Sequence, residues 1–138
     1  MEQASLVRRA VATLSRRLRA ERSADSMSLT KLSLLGQLYR HGSISAAELA
    51  GLERVQPQSL TRVLAELLEE GLISRRVDAA DGRRLLLDIT GEGRAVLTRD
   101  MQQRDAWLAR AMYQELSATE RELLRLAAQL LERLADVE

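Results

Sequence analysis

The chain of 138 residues has no cysteine, no phenylalanine, one proline, one histidine and only three aromatic residues. Without cysteine there is no disulfide, no thiolate nucleophile and no sulfur-based oxidation switch, which fits a reducing, cytoplasmic setting. The lone His41 has no carboxylate nearby in sequence that would fix a catalytic triad, and no His/Cys cluster has metal-ligand spacing. Gly91-x-Gly93 follows a ribbon and is not continued by a third glycine, so it lacks the context of a phosphate-binding loop. No enzyme, metal or cofactor is expected. No apolar run is long enough to span a bilayer, and Arg8-Arg9 and Arg16-Arg17 interrupt anything resembling a signal-peptide core. No membrane partner is expected either.

Charge of one sign is also scarce, with a formal net charge of +1. The sum hides an uneven distribution. From Gln114 onward six acids face three arginines, whereas arginines gather near the N-terminus and at Arg75, Arg76, Arg83 and Arg84. Apolar residues make up 46% of the chain, enough to fill the core of one domain of ordinary size. No repeat, low-complexity stretch or linker divides it.

The stretch from Ser43 to Gly93 carries the most information. Ser45-Ala46-Ala47-Glu48 has the pattern of a capping box, in which the serine hydroxyl accepts from the Glu48 amide and the glutamate reaches back. The helix it opens is predicted to stop near Ala50, with Gly51 as the residue that ends it. Ala47 and Gly51, small and four apart, predict a close helix–helix approach across a sharp turn. Gln56 then stands at a cap and Pro57 at the first helical position, where its missing NH is not needed. Leu60, Val63, Leu64, Leu67 and Leu68 form the apolar face of this second helix, and Gly71 closes it. Gln56, Gln58, Ser59, Thr61 and Arg62 are left to point outward. Arginine can donate twice to guanine, glutamine can pair with adenine, and small hydroxylated residues let a helix sink into the DNA major groove.

A two-stranded ribbon follows, Leu72 to Val77 and Leu85 to Ile89, with Leu85, Leu87 and Ile89 alternating on one side. Its tip, Asp81-Gly82-Arg83-Arg84, favours a turn, and the Asp81 carboxylate is close enough in sequence to brace the Arg83 guanidinium. Such a ribbon can reach phosphates or the minor groove beside the reading helix.

The remaining segments read as helices: residues 3 to about 22, a loop through Ser23–Ser26, a helix from near Thr30 to His41, a long helix capped by Thr90, and a last helix opened by the capping box Ser117–Glu120. The last helix spreads Leu123, Leu124, Leu126, Leu130, Leu131 and Leu134 wider than one neighbour would cover. The terminal helices are therefore expected to meet a twofold mate, the alternative being an intramolecular helical bundle.

The run Ala46-Ala47-Glu48-Leu49, Leu60-Thr61-Arg62, Leu67, Glu70-Gly71-Leu72-Ile73, Arg75, Asp81-x-Arg83 and Leu87-x-Ile89-Thr90-x-x-Gly93 resembles the MarR family of bacterial transcriptional regulators, over nearly the whole chain. The resemblance implies a mainly α fold with a small β-wing, a winged helix-turn-helix flanked by N- and C-terminal dimerisation helices. It divides one domain, 1–138, into a DNA-binding lobe at 28–90 and a dimerisation region at 1–22 and 91–138. It implies a homodimer on pseudo-palindromic double-stranded promoter DNA, usually a repressor. Gln56, Gln58, Ser59, Thr61 and Arg62 fall on the recognition helix, and Asp81, Arg83 and Arg84 on the wing tip. Pro57 departs from many relatives and puts Gln56 most in question.

Family members often release DNA when a small, frequently aromatic molecule binds between the DNA-binding and dimer regions. Arg16, Leu35, Tyr39, His41, Met101 and Trp107 are the candidates for such a cleft. Each has a plainer reading: Met101 and Trp107 as core or interface, His41 as a solvated helix end. With so few aromatics there is little from which to build a stacking pocket, and an orphan regulator without effector reads equally well. The other class of function open to this sequence is a winged-helix module that docks on a protein.

Overall fold

A computed structural model of the chain describes residues 1–22 and 27–137. The loop expected at Ser23–Ser26 lies outside the described residues. The elements are α1 (Glu2–Ala20), α2 (Leu29–His41), α3 (Ala46–Glu53), a 3-10 turn (Pro57–Leu60), α4 (Thr61–Glu69), β1 (Ile73–Val77), β2 (Leu85–Ile89), α5 (Gly91–Glu115) and α6 (Ala118–Ala135). This is the mainly α architecture with a two-stranded wing. The chain forms two compact units, Ser23–Met101 and Met1–Arg22 with Gln102–Glu138, and the division falls inside α5.

The core of the first unit is built from leucines at helical spacing. Leu34, Leu35 and Leu38 of α2, Leu49 of α3 and Leu67 of α4 are all but inaccessible, and Leu60, Leu64, Ile73, Leu87 and Leu97 close around them. Burying each such side chain stabilises the fold by about 1.5–3 kcal/mol. Ser28 caps α2 by accepting from the Lys31 amide at 3.3 Å. Gly71, at φ 73, ends α4 with amide bonds from Gly71 to the Leu68 carbonyl and from Leu72 to the Leu67 carbonyl.

α3 departs from expectation. It runs through Gly51 to Glu53, and the left-handed residue that ends it is Arg54. The amides of Arg54 and Val55 donate to the carbonyls of Gly51 and Ala50 at 3.1 and 3.0 Å, and this pair of bonds fixes the stop three residues later than glycine alone predicts. Ala47 and Gly51 are exposed, and a methyl group added at Gly51 would meet nothing. The small buried residue of this helix is Ala50.

β1 and β2 pair antiparallel, Ile73 opposite Ile89 and Val77 opposite Leu85. Ile44, just before α3, bridges to Leu87 through bonds of 3.2 and 2.7 Å and ties the helix-turn-helix to the wing's base. The expected alternation holds only at this base. Leu87 is buried and Ile89 packs on the core, but Leu85 and its partner Val77 are about half exposed because the ribbon there has left the core. Leu86, on the opposite face, is buried.

Thr90 joins β2 to α5. Its hydroxyl donates to the Gly71 carbonyl (2.7 Å) and accepts from the Gly93 amide (3.1 Å), capping the helix. Gly93 is there because nothing larger fits: a Cβ would stand 2.1 Å from the Leu72 carbonyl oxygen.

In the second unit the Ser117–Glu120 capping box is complete, with Glu120 accepting from the Ser117 amide at 2.7 Å and Ser117 from the Glu120 amide at 3.2 Å. Arg17 of α1 stacks over Trp107 of α5, 4.7 Å from the ring centre. Neither α1 nor α6 buries a residue within the protomer.

Candidate nucleic-acid interface

The reading segment starts with a 3-10 turn, where a continuous helix was expected. Gln56 is extended (φ −72, ψ 143), as a residue before proline must be, and Pro57 takes the first position of the turn. The Gln56 side chain makes no cap; its carbonyl accepts from the Ser59 amide at 2.9 Å. Leu60, Leu64 and Leu67 are buried, while Gln56, Gln58, Ser59, Thr61 and Arg62 are all exposed. The sequence thus leaves these polar residues exposed on a segment whose leucines anchor it from behind.

Arg62 has a side chain 91% exposed, held lightly by Glu66 one turn on (Nε to Oε1, 3.3 Å). Glu66 also receives Lys31 of α2 at 3.2 Å, and Lys31 in turn is bound by Glu70. Lys31, the chain's one lysine, therefore fastens α2 to the reading helix. Its hydrogen bond to Glu70 raises the Lys31 pKa above its ordinary value. The hydrogen bond from Lys31 holds Glu66 below the usual carboxylate value, with Arg62 adding to it.

The wing tip is fixed by backbone bonds. The Asp78 amide donates to the Arg84 carbonyl (2.8 Å), and the Arg84 amide to the Asp81 carbonyl (3.0 Å). The expected brace between Asp81 and the Arg83 guanidinium is not made. Asp81 Oδ1 instead accepts from the Arg83 amide at 3.1 Å, the local bond an aspartate in a turn prefers. The exposed Arg83 guanidinium has no hydrogen-bond or ion-pair partner among the described residues. Arg84 is different: its guanidinium pairs with Glu48 of α3.

Two features here escaped the sequence reading. Glu48 gives its carboxylate to the wing, so only the serine half of the Ser45 cap forms (3.1 Å). At the ribbon's base, Arg76 Nε donates to Asp88 (3.2 Å) and its Nη2 to the Ser43 hydroxyl (3.1 Å), while Ser43 donates to Asp88. Both link residues far apart in sequence, and no local spacing signals them.

Between the reading segment and the wing lies a cleft of about 400 Å³, walled by Leu64, Leu68, Leu85 and Leu87, with Gln58, Thr61 and Arg75 among its polar lining. None of the effector candidates lines it. Leu35 is fully buried and belongs to the core. Tyr39 and His41 are exposed near the end of α2, and Met101 is exposed on α5. Arg16 and Trp107 lie in the other unit, where Arg16 donates to Thr13 at 3.3 Å and Trp107 carries the stacked Arg17. Among the described residues no helix is long and apolar enough to cross a membrane, and no acidic, His or Cys group could hold a metal.

The MarR family model matches residues 27–85. The uncharacterised HTH-type transcriptional regulator Mb0904 of Mycobacterium bovis is 37% identical over 127 residues, 92% of this chain and 88% of that protein. The HTH-type transcriptional repressor Mb2911 of the same organism is 32% identical over 94 residues, 68% of each chain. A crystal structure of a protein from Pseudomonas aeruginosa PA01, proposed to be a transcriptional regulator, superposes with a TM-score of 0.85 at 39% identity, over 99% of this chain and 96% of that one.

Proposed function

The chain belongs to the MarR family of transcriptional regulators, and on that premise we propose that it is a cytoplasmic homodimer that represses transcription by binding pseudo-palindromic promoter DNA. One observation supports this above others: Gln58, Ser59, Thr61 and Arg62 are exposed together on a segment whose leucines are buried, beside a wing whose Arg83 guanidinium has no partner among the described residues. In this reading Arg62 addresses a base edge, with Gln58, Ser59, Thr61 and Gln56 around it. Arg83 and Arg84 meet phosphates or the minor groove, and Asp81 shapes the turn that presents them. Two such readers must stand about 34–36 Å apart to enter successive major grooves, which requires a twofold assembly. The exposed leucines of α6 and the apolar residues of α1 supply a surface for it. Release by a small molecule belongs to this reading too, but we attach it to the cleft beside Arg75, within the DNA-binding lobe and apart from Arg16, Tyr39, His41, Met101 and Trp107, where an occupant would stand between reader and wing.

The test is a gel shift on the DNA immediately upstream of the coding sequence. The wild-type chain should retard it, and Arg62→Ala should lose about 1–3 kcal/mol and relax preference at one base position. An equal loss on random DNA would confine Arg62 to phosphate. If the wild-type chain retards no DNA at all, the reading fails in favour of a winged-helix module that docks on protein.

A further inference from the structure

Arg54 is the one non-glycine residue among those described with a positive φ (φ 57, ψ 41). Side chains are disfavoured there and glycine is not, so the position asks for glycine on backbone grounds. The two bonds that need this conformation, from the Arg54 and Val55 amides to Gly51 and Ala50, are backbone bonds that glycine would make with less strain. The arginine side chain must therefore be explained by something other than the turn.

Nothing inside the fold explains it. Arg54 is exposed, and its guanidinium has no hydrogen-bond or ion-pair partner among the described residues. The adjacent acid, Glu53, is taken by the Ser33 hydroxyl of α2 at 2.6 Å. Location supplies the use. Arg54 stands two residues before the extended Gln56, which with Pro57 opens the reading segment, so it lies at the entry to the reader. Backbone strain retained at an exposed charged residue beside a binding surface is the kind of outlier from which function is inferred.

We infer that Arg54 is a DNA-backbone contact, its guanidinium donating to a phosphate where the reading segment enters the groove. This rests on the proposed DNA-binding reading and adds a residue to it. The contact reads no sequence; it sets how deep and at what angle the reader docks.

The test uses the full chain and a labelled random-sequence duplex a few helical turns long, titrated across a range of salt. Wild-type binding to that duplex tests the DNA-binding reading itself; its absence sinks that reading and leaves nothing for Arg54 to do. Given wild-type binding, Arg54→Gly should melt a few degrees higher than wild type yet bind more weakly. Its salt dependence should flatten by about 2 log units per log unit of salt, one contact per protomer and two per dimer. Arg54→Asn, which also tolerates the left-handed conformation, should show the same flattening, and Arg54→Lys, which keeps the charge, should not. If Arg54→Gly melts higher but binds with unchanged affinity and slope, the inference is overturned. It is overturned equally if Arg54→Lys flattens the slope as much as Arg54→Gly, because charge would then not be the cause.

Discussion

Glu48, three residues after the serine that caps α3, gives its carboxylate to the Arg84 guanidinium at the end of the wing turn. One ion pair thus joins the first helix of the helix-turn-helix to the ribbon beside its second. Both side chains remain about two-fifths exposed, so solvent screens the pair, and a double-mutant cycle should give a coupling of roughly 0.2–1 kcal/mol. The larger effect belongs to binding. Glu48 holds a cation that the proposed function assigns to DNA, and it adds a negative charge near phosphates. Glu48→Gln should therefore tighten binding to random DNA and steepen its salt dependence, while Arg84→Ala does the reverse. Weaker binding by Glu48→Gln in a fluorescence titration would instead make Glu48 the residue that aims Arg84.

The two glycines on either side of the reading segment should respond to alanine in opposite directions. At Gly93 the new methyl would sit 2.1 Å from the Leu72 carbonyl and 2.8 Å from Ile89 Cγ1, so the strand end or α5 must shift. Gly93→Ala should cost about 1–3 kcal/mol or more in urea unfolding. Gly51 lies inside α3 with open space around it, and Gly51→Ala should stabilise by roughly 0.5–1 kcal/mol. Equal midpoints for the two variants would show that the approach at Gly93 relaxes freely.

Lys31 predicts a pH dependence at both ends of the scale. Glu66 has a folded pKa depressed below its ordinary 4.5, so its contribution is present above that value and lost as pH falls through the folded one. Lys31 has a folded pKa raised above 10.5, so its contribution is full below that value and lost as pH rises through the folded one. Lys31→Met should remove the alkaline contribution and the larger part of the acid one, Arg62 still pairing with Glu66, so stability at neutral pH falls, the alkaline limb of the stability curve flattens and the acid limb flattens in part. Thermal melts of the two proteins from acid to alkaline pH decide it: parallel curves would mean the triad adds nothing.

What sequence alone conveyed follows from the range of each interaction. Ser117–Glu120 forms the complete box its spacing predicts, as Glu120 reaches its own helix end. Ser45–Glu48 has the same spacing and forms half of one, since a distant arginine takes the glutamate. The leucines of α2 and α4 were legible because burial follows helical period. Leu85 is exposed against its alternation because alternation says which side a residue faces and not whether the core reaches that far. Arg54 is not legible as a helix stop because glycine is the usual sign of a left-handed residue, and Gly51 lies three residues before it. The exposure of the polar residues from Gln56 to Arg62 needed only local rules: a proline to fix the entry, leucines to anchor the back, and polar residues left over.

The dimer proposal makes the last prediction. α6 buries none of its residues in the protomer, and Leu130 and Leu134 are 55% and 65% exposed. A charge placed on such a face costs the isolated protomer little, because no core contact is lost. Covered by a partner, the same charge would be desolvated without a counterion, a penalty of several kcal/mol at each of two symmetric positions. Leu130→Glu should therefore yield a folded chain of protomer mass by light scattering, with helical content close to wild type. Its affinity for a two-half-site operator should fall far more than its affinity for a single half-site, since only one reader can then dock at a time. A Leu130→Glu chain that keeps dimer mass would move the interface off this face of α6, and a wild-type chain that is monomeric at micromolar concentration would remove the twofold arrangement on which the operator spacing depends.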